Sequence, residues 1–250
     1  MIVCAVVTVG AAAAREGDDG QAAPTLVLAE LFTSEGCSSC PPADHLLETL
    51  LKEQPIAGVY VVALSEHVTY WDHQGWKDPF ASNQFTNRQQ AYGRGFNLDS
   101  IYTPQLVIDG TAEFVGSDER LVRKGLADAA RTPKPPMTVT ATWRDGSLAM
   151  KASGPGVQAG GAEGSELWWA LTEDGLVVDV KRGENASRTL RHSGVVRLLR
   201  STDLGTPSAV ASLTLPFTTE LKRANLRVVA FVQSKKTRRV TSIGWANIGN

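Results

Sequence analysis

The sequence predicts a chain of two parts, an α/β domain followed by an all-β antiparallel sandwich or barrel domain. Residues 25–64 show a buried-strand pattern, a helical pattern and a second buried-strand pattern, which is the order of a βαβ unit. A proline-rich stretch at residues 132–136 changes the composition, and the apolar runs beyond it are short and separated by turn residues. We therefore expect domains at residues 25–131 and 137–250.

The composition is that of a globular protein and argues against binding of polyanions. Of the 250 residues, 42% are hydrophobic and 20% are charged, and the formal net charge is -1. A chain so close to neutrality offers no overall attraction to nucleic acid or to an anionic membrane. One short basic cluster carries no recognition motif, so we interpret it as a solvated strand end or turn; it comprises Lys235, Lys236, Arg238 and Arg239.

Residues 1–24 have the pattern of an export signal followed by a polar, mobile N-terminus. The run from Met1 to Ala14 is apolar, but it is shorter than the about 20 residues that a membrane-spanning helix needs. The small residues Ala12 and Ala14 stand where a signal peptide is cleaved. No lysine or arginine precedes the run, which departs from the usual signal. We expect an exported protein, periplasmic or secreted, without stable membrane insertion.

The elements of the first domain follow from apolar periodicity. Strands are predicted at residues 25–33 and 57–64, where apolar residues are nearly continuous, and a helix at residues 42–52, where leucines recur at helical spacing. An aromatic-rich loop follows at residues 65–76. The later elements are a helix at 78–92, a hairpin at 101–115 around an Asp-Gly turn, and a helix at 117–131 with Ser117 as N-cap.

Eight short strands are predicted in the second domain. They lie at residues 137–143, 147–153, 166–172, 176–182, 193–200, 209–215, 226–234 and 239–246. Strands at such intervals, with turn residues between them, are typical of an antiparallel sandwich or barrel. The glycine-rich residues 154–164 predict a long loop.

Three cysteines are present, Cys4, Cys37 and Cys40. Removal of a signal would leave the Cys37–Cys40 pair, and a disulfide that closes so short a loop constrains the unfolded chain little. A closed zinc site usually needs four ligands, and no second Cys-x-x-Cys pair is available. The pair lies between a predicted strand and a predicted helix, which is the position of a redox dithiol. A helix N-terminus there favours the thiolate of Cys37, and Cys40 would resolve a mixed disulfide.

The order of elements, the Cys-x-x-Cys at the first strand–helix junction and Thr103-Pro104 before a strand together resemble the thioredoxin superfamily. Residues 30–44, Glu-Leu-Phe-Thr-Ser-Glu-Gly-Cys-Ser-Ser-Cys-Pro-Pro-Ala-Asp, resemble more narrowly an uncharacterised family of exported bacterial proteins that is catalogued as a domain of unknown function. Members pair a thioredoxin-like domain with a C-terminal β domain. The resemblance implies that Pro104 is a cis-proline facing the dithiol, and that Thr103 offers backbone groups to an extended substrate.

This sequence departs from thioredoxin itself. Ser38-Ser39 stands between the cysteines where thioredoxin has Gly-Pro, and no tryptophan precedes Cys37. An extra loop follows the second strand. Because the intervening dipeptide helps to set the redox potential, the direction of electron flow stays open.

Other residues could assist the dithiol. Glu30 is an acidic residue in an apolar strand, so it is either a buried proton relay for Cys40 or a solvated edge residue. His67, at the end of the second strand, could activate the Cys37 thiolate or be structural. Trp71 and Trp76 could rim a substrate groove or pack under their loop. The polar segment 183–189 resembles one that recurs in the same family, and we find no catalytic constellation in it.

We expect a thiol–disulfide oxidoreductase that uses Cys37 and Cys40 on protein thiols or disulfides and needs no cofactor beyond the redox-active disulfide. A first alternative is a periplasmic copper-binding protein or metallochaperone that uses Cys37, Cys40 and His67, since thiolates and imidazole suit copper. A second alternative is a redox-inactive interaction module. No nucleic-acid partner is expected.

Overall fold

The computed structural model of the chain describes residues 24–144, 147–160, 164–204, 210–216 and 221–248. The predicted signal segment lies outside the described residues. The structure contains the following strands and helices in chain order: β1 (Thr25–Thr33), α1 (Pro41–Glu53), β2 (Val59–His67), α2 (Asn83–Gly95), β3 (Gln105–Ile108), β4 (Ala112–Val115), α3 (Glu119–Ala130), β5 (Thr138–Arg144), β6 (Ser147–Ser153), α4 (Pro155–Gly160), β7 (Ser165–Glu173), β8 (Leu176–Asp179), β9 (Thr189–His192), β10 (Val195–Asp203), β11 (Val210–Pro216), β12 (Leu226–Ser234) and β13 (Val240–Asn247).

The N-terminal half is built around β1, which is buried on both faces. β1 pairs in parallel with β2 and antiparallel with β3, and β3 turns into β4 at Asp109 and Gly110. Ala29 and Leu31 point to the face covered by α1 and α3, whereas Leu28 and Phe32 point to the face covered by α2. This alternation follows from the two-residue period of a strand. It explains why the sequence of β1 is almost continuously apolar.

The large sheet continues into the C-terminal half. Its order is β13-β12-β7-β10-β2-β1-β3-β4, and β10 runs parallel to β2, with Val195 opposite Ser65. A second sheet, β11-β6-β5, packs on the C-terminal part of the large sheet, since residues of β5, β6, β7 and β12 share one apolar cluster. The large sheet contains strands from both sides of the predicted linker at residues 132–136. The two predicted domains therefore share this sheet.

The outer edge of β2 is partly covered by one side chain. α1 ends at Gln54, which adopts a left-handed conformation. The Gln54 amide donates to the carbonyl oxygen of Val61 (3.0 Å) and accepts from the Val61 N–H (2.6 Å), as a neighbouring strand would. Further along the edge, the Ser65 N–H donates to the carbonyl oxygen of Gly194 (2.7 Å).

Several local predictions need correction. α3 is capped by Asp118 rather than Ser117, because the Asp118 carboxylate accepts from the Leu121 N–H. α2 begins after Ser82, so residues 78–81 are not helical. The predicted loop at 154–164 contains the short helix α4, and the strand β9 was missed. No helix within the described ranges is long and apolar enough to cross a membrane.

Candidate functional site

Cys37 and Cys40 lie between β1 and α1 and form a disulfide. Both residues are fully buried, while Ser38 and Ser39 between them are exposed. Helix α1 begins at Pro41, so its N-cap is Cys40. From the sequence we placed Cys37 at the helix N-terminus, whereas Cys37 lies three residues before this N-cap. The Ala43 and Asp44 N–H groups donate to the carbonyl oxygen of Cys40. The strand–helix junction thus positions both sulfurs, although Cys37 itself is not a helical residue.

Thr103 joins the disulfide through its side chain. The Thr103–Pro104 peptide bond is cis, which confirms the implication of the resemblance. The Thr103 hydroxyl donates to Cys37 Sγ (3.3 Å), and the Ser39 hydroxyl lies 3.4 Å from the same sulfur. Trp71 Nε1 in turn donates to Thr103 Oγ1 (2.8 Å). The sequence predicted a backbone role for Thr103, whereas the contact seen here is made by its hydroxyl.

The two sulfurs are therefore in different surroundings. Two hydroxyl groups contact Cys37 Sγ, and no hydrogen bond to Cys40 Sγ occurs among the described residues. Donors that hydrogen-bond a thiolate stabilise it relative to the thiol. Of the two sulfurs, Cys37 Sγ is the one that lies beside such donors.

Trp76 contacts the site indirectly, through Glu35. Trp76 Nε1 donates to Glu35 Oε2 (2.7 Å), and the Glu35 carboxylate is fully buried two residues before Cys37. The Glu35 N–H donates to Asp78 Oδ2 (2.8 Å). The indole of Trp76 is therefore tied through Glu35 to the chain that leads into the disulfide.

His67 is buried and pairs with a carboxylate rather than with sulfur. Its Nδ1 lies 2.7 Å from Asp78 Oδ2, and no hydrogen bond within the described structure joins it to either cysteine. Burial by itself would lower the pKa of His67, but the facing Asp78 outweighs it and the pKa is raised. Burial by itself would raise the pKa of Asp78, but the facing His67 and the backbone N–H donors outweigh it, and the pKa is lowered. The predicted activation of Cys37 by His67 is therefore not supported by a hydrogen bond between the two residues.

The His67–Asp78 pair belongs to a larger buried cluster, which we call the Glu35 network; it comprises Glu35, Asp44, His67, Asp78 and His192. His192 Nε2 lies 3.2 Å from Glu35 Oε1, and its ring meets that of His67 edge to face at 4.9 Å. Burial raises the pKa of Asp44, which lies 3.9 Å from His192 Nδ1. Two buried ring nitrogens in this network, His67 Nε2 and His192 Nδ1, have no hydrogen-bond partner among the described residues.

Glu30 lies on the other face of the sheet, in a cluster that we call the Arg88 network; its members are Glu30, Glu66, Arg88, Tyr92 and Gln233. Glu30 is fully buried and accepts from Arg88 Nε (2.6 Å) and from the Tyr92 hydroxyl (2.5 Å). A solvated edge position is therefore wrong. The relay role is not supported either, because side chains at Glu30 and Leu31 point to opposite faces, and α1 covers the face of Leu31.

Residues of the C-terminal half contact the loop between β1 and α1, residues 34–40, which we call the cysteine loop. These contacts were not predicted from the sequence. Asn185 is fully buried, and its Nδ2 donates to the carbonyl oxygens of Glu35 and Cys37, each at 2.9 Å. The Glu184 carboxylate accepts from the Ser38 N–H (3.1 Å). About 150 residues separate these partners, so no local pattern could pair them. The only signal was the recurrence of the polar segment 183–189 in the resembling family.

The arrangement places two hydroxyl groups beside the disulfide, both at Cys37 Sγ. His67 pairs with Asp78 rather than with the cysteines, and the copper site stays a prediction. Within the part of the chain that the structure describes, no three His, Cys, Asp or Glu residues are grouped so that they could hold a metal ion.

Comparisons with known proteins agree on a family and a fold. The model of the family described as "Protein of unknown function (DUF1223)" matches residues 28–233. A crystal structure of a protein from Agrobacterium tumefaciens is 26% identical, covers 92% of this chain and 97% of its own, and superposes with a TM-score of 0.68. HBP35 of Porphyromonas gingivalis is similar in fold: it is 14% identical, the match covers 91% of this chain and 76% of HBP35, and the TM-score is 0.55. No curated protein matches the chain.

Proposed function

The chain belongs to the DUF1223 family of proteins of unknown function, and we propose that it is an exported, thioredoxin-like thiol–disulfide oxidoreductase whose redox centre is the Cys37–Cys40 pair. Its clients in this proposal are protein thiols or disulfides. The export assignment rests on the apolar pattern of residues 1–14 and on the small residues at its end.

One observation carries the proposal, the asymmetry of the two sulfurs. The hydroxyls of Thr103 and Ser39 lie 3.3 and 3.4 Å from Cys37 Sγ. Hydrogen bonds of this kind stabilise a thiolate, so Cys37 is the better nucleophile in the reduced form. Thr103 stands next to a cis-proline, in the position that the resemblance to thioredoxin implies for a residue facing the dithiol.

The exchange can be written with its electrons and protons balanced. A client thiolate attacks Cys37 Sγ, forms a client–Cys37 disulfide and breaks the Cys37–Cys40 bond, and Cys40 leaves as a thiolate. A second client thiolate then attacks the client sulfur, so that the client departs with a disulfide and Cys37 is released. Two electrons pass to the protein, and the two client protons end on Cys37 and Cys40. The reduced protein runs the same steps backwards on a client disulfide.

Access to the sulfur requires movement. Cys37 is fully buried, so an incoming thiolate reaches its Sγ only after the surrounding loops have opened. Ser38 and Ser39 are exposed and give a client a surface on which to dock first.

The test is to equilibrate the purified protein with glutathione at a series of reduced-to-oxidised ratios and to trap free thiols by alkylation. We expect a reversible two-electron transition. We also expect Cys40→Ser to form a stable mixed disulfide through Cys37, and the matched Cys37→Ser variant to react at least about tenfold more slowly, because Cys40 Sγ lacks the hydroxyl contacts that Cys37 Sγ makes.

Three outcomes would overturn the proposal. A pair that stays inert at every glutathione ratio would leave a redox-inactive module. An inert pair that binds Cu(I) tightly after chemical reduction would point to a copper-binding protein. Equal reactivity of the two single-cysteine variants would contradict the asymmetry on which the assignment rests.

A further inference from the structure

The connection between β8 and β9, which we call the 180–188 turn, reaches the cysteine loop from the C-terminal half. The turn is held by its own hydrogen bonds: the Ser187 N–H donates to the Val180 carbonyl (2.9 Å), and Arg188 Nη1 donates to Asn185 Oδ1 (3.0 Å). Gly183 has a φ of +76°, and a Cβ there would approach Trp76 Cβ to 3.2 Å. The turn therefore has a defined shape and packs against the loop that carries Trp76.

Asn185 fixes the turn on the cysteine loop. Its amide nitrogen donates to two carbonyl oxygens, those of Glu35 and Cys37, and the side chain is fully buried. Both protons of one amide are thereby used on either side of Gly36. This anchoring determines where the neighbouring Glu184 lies.

Glu184 places a carboxylate beside the nucleophilic cysteine. Its Oε2 accepts from the N–H of Ser38, the residue that directly follows Cys37, at 3.1 Å. The hydrogen bonds with Ser38 lower the pKa of Glu184, so the carboxylate is ionised at neutral pH. It forms no ion pair within the described structure that would neutralise this charge. The backbone N–H of the residue that follows Cys37 is therefore occupied by this carboxylate.

A negative charge at this place acts against the thiolate of Cys37. Like charges disfavour ionisation of their neighbour, and a donor that is already used cannot stabilise the anion. Since the reduced pair is stabilised by thiolate formation, an opposing charge favours the disulfide. The effect is screened by salt, because Glu184 is exposed.

We propose that Glu184 is a tuning residue of the redox centre, supplied by the C-terminal half, whose charge disfavours the Cys37 thiolate and holds the pair toward its disulfide form. The inference rests on the proposed oxidoreductase function. It also gives the C-terminal half a chemical role, since the two predicted domains then share one redox site.

The test compares Glu184→Gln with the wild-type protein in two measurements at low ionic strength. The first is the pH titration of thiolate absorbance at 240 nm in the Cys40→Ser background, where Cys37 is the thiol that titrates. The second is the glutathione equilibrium of the intact pair. We expect the Cys37 pKa to fall by about 0.5–1 unit, and the equilibrium to move about three- to tenfold toward the reduced pair, which is about 15–30 mV.

Matched variants separate charge from structure. Glu53→Gln removes the same charge at the far end of α1 and is expected to change neither quantity. Glu184→Asp keeps the charge and is expected to stay close to wild type. The shift in Glu184→Gln is expected to shrink at 1 M salt, where the Debye length is about 3 Å.

The outcomes distinguish the two proposals. If the wild-type pair does not exchange with glutathione, the oxidoreductase function fails. If the wild-type pair exchanges reversibly but Glu184→Gln leaves the Cys37 pKa and the equilibrium unchanged at low salt, the function stands and the tuning role of Glu184 is refuted. An equal shift in Glu53→Gln would also refute it.

Discussion

Two buried networks of charged residues lie on opposite faces of the same sheet, and they are built differently. The Arg88 network is centred on a guanidinium that is charged at every accessible pH; it donates to Glu30, Tyr92 and Gln233 and lies over the ring of Trp168 at 4.5 Å. The Glu35 network instead combines three carboxylates with the imidazoles of two histidines. Within it, the facing Asp78 raises the pKa of His67 against the opposing effect of burial.

The difference indicates separate roles. The Arg88 network connects β1, β2, α2 and β12, so it ties the two halves of the chain together. The Glu35 network underlies the disulfide. Both networks contain buried polar atoms without a hydrogen-bond partner among the described residues, the Glu66 carboxylate oxygens in the first and His67 Nε2 and His192 Nδ1 in the second, so the difference between them lies in the imidazoles of the second, which can take up a proton. We interpret the first as structural and the second as responsive to protonation. Four predictions test this contrast, from the largest expected effect to the smallest.

Replacing Arg88 tests the structural joint. Arg88→Leu leaves Glu30 buried without its cation, so we expect the free energy of unfolding to fall by about 3–5 kcal/mol, measured by urea denaturation. Arg123→Leu is the control, because its partner Glu119 is largely exposed and such pairs contribute under about 1 kcal/mol. Arg88→Lys, which keeps the charge, should retain more stability than Arg88→Leu. Similar losses in Arg88→Leu and Arg123→Leu would contradict a structural role.

Replacing Asn185 tests the contact between the C-terminal half and the cysteine loop. Asn185→Ala leaves two buried carbonyl oxygens without their donor, so we expect a loss of about 1–3 kcal/mol and faster reduction of the disulfide by dithiothreitol. Asn83→Ala is the control, because that side chain bonds Thr69 at an exposed site. A reduction rate unchanged from wild type would show that Asn185 does not restrict access to Cys37.

The pH dependence of stability tests the protonation response. The raised pKa of His67 gives a contribution that is complete below its unfolded value of about 6.5 and is lost as pH rises through the folded pKa. The lowered pKa of Asp78 gives a contribution that is lost as pH falls below about 3.9. Because the pKa of His67 is raised, we expect His67→Gln to remove a decline in the free energy of unfolding that the wild type shows as pH rises above about 6.5. Parallel urea-unfolding profiles of wild type and variant would contradict this expectation.

Glu66 provides the smallest expected effect. Burial and the nearby charge of Glu30 raise the pKa of Glu66 well above its ordinary value, so the site favours the uncharged side chain and an amide should replace it closely. We expect Glu66→Gln to change stability by less than about 0.5 kcal/mol at about pH 4, below the unfolded pKa of about 4.3, and to be the more stable protein at higher pH. Wild-type stability should fall as pH rises through the folded pKa of Glu66, and the variant should lack that fall. Glu30→Gln, which removes a partner of Arg88, is the matched comparison and should cost more at pH 7.

Much of the fold could be predicted because it is encoded locally. Apolar periodicity identified β1, α1 and β2, and the Asp-Gly turn identified the β3–β4 hairpin. The parallel pairing of β10 with β2 could not be predicted, since it joins Val195 to Ser65 across 130 residues of chain and no motif marks it. The short strand β9 was missed because Leu190 is its only aliphatic residue, which leaves no apolar alternation to recognise.

The site divides in the same way. Cys37, Cys40 and the cis-proline followed from a motif and a resemblance, whereas Asn185, Glu184 and His192 arrive by tertiary packing of a distant turn. Glu30 illustrates a different difficulty. Its position in the strand indicated burial, but the sequence did not say which face the helix with Cys40 would cover, so its partner could not be assigned.

The side chain of Gln54 has a consequence for the behaviour of the protein in solution. An exposed strand edge offers free N–H and carbonyl groups to which a strand of another molecule can add. Because the Gln54 amide already occupies both backbone groups of Val61, and because β10 meets this edge at Ser65, an incoming strand would have to displace them. The backbone N–H and carbonyl of Val61 are thus unavailable for pairing with a strand of another molecule.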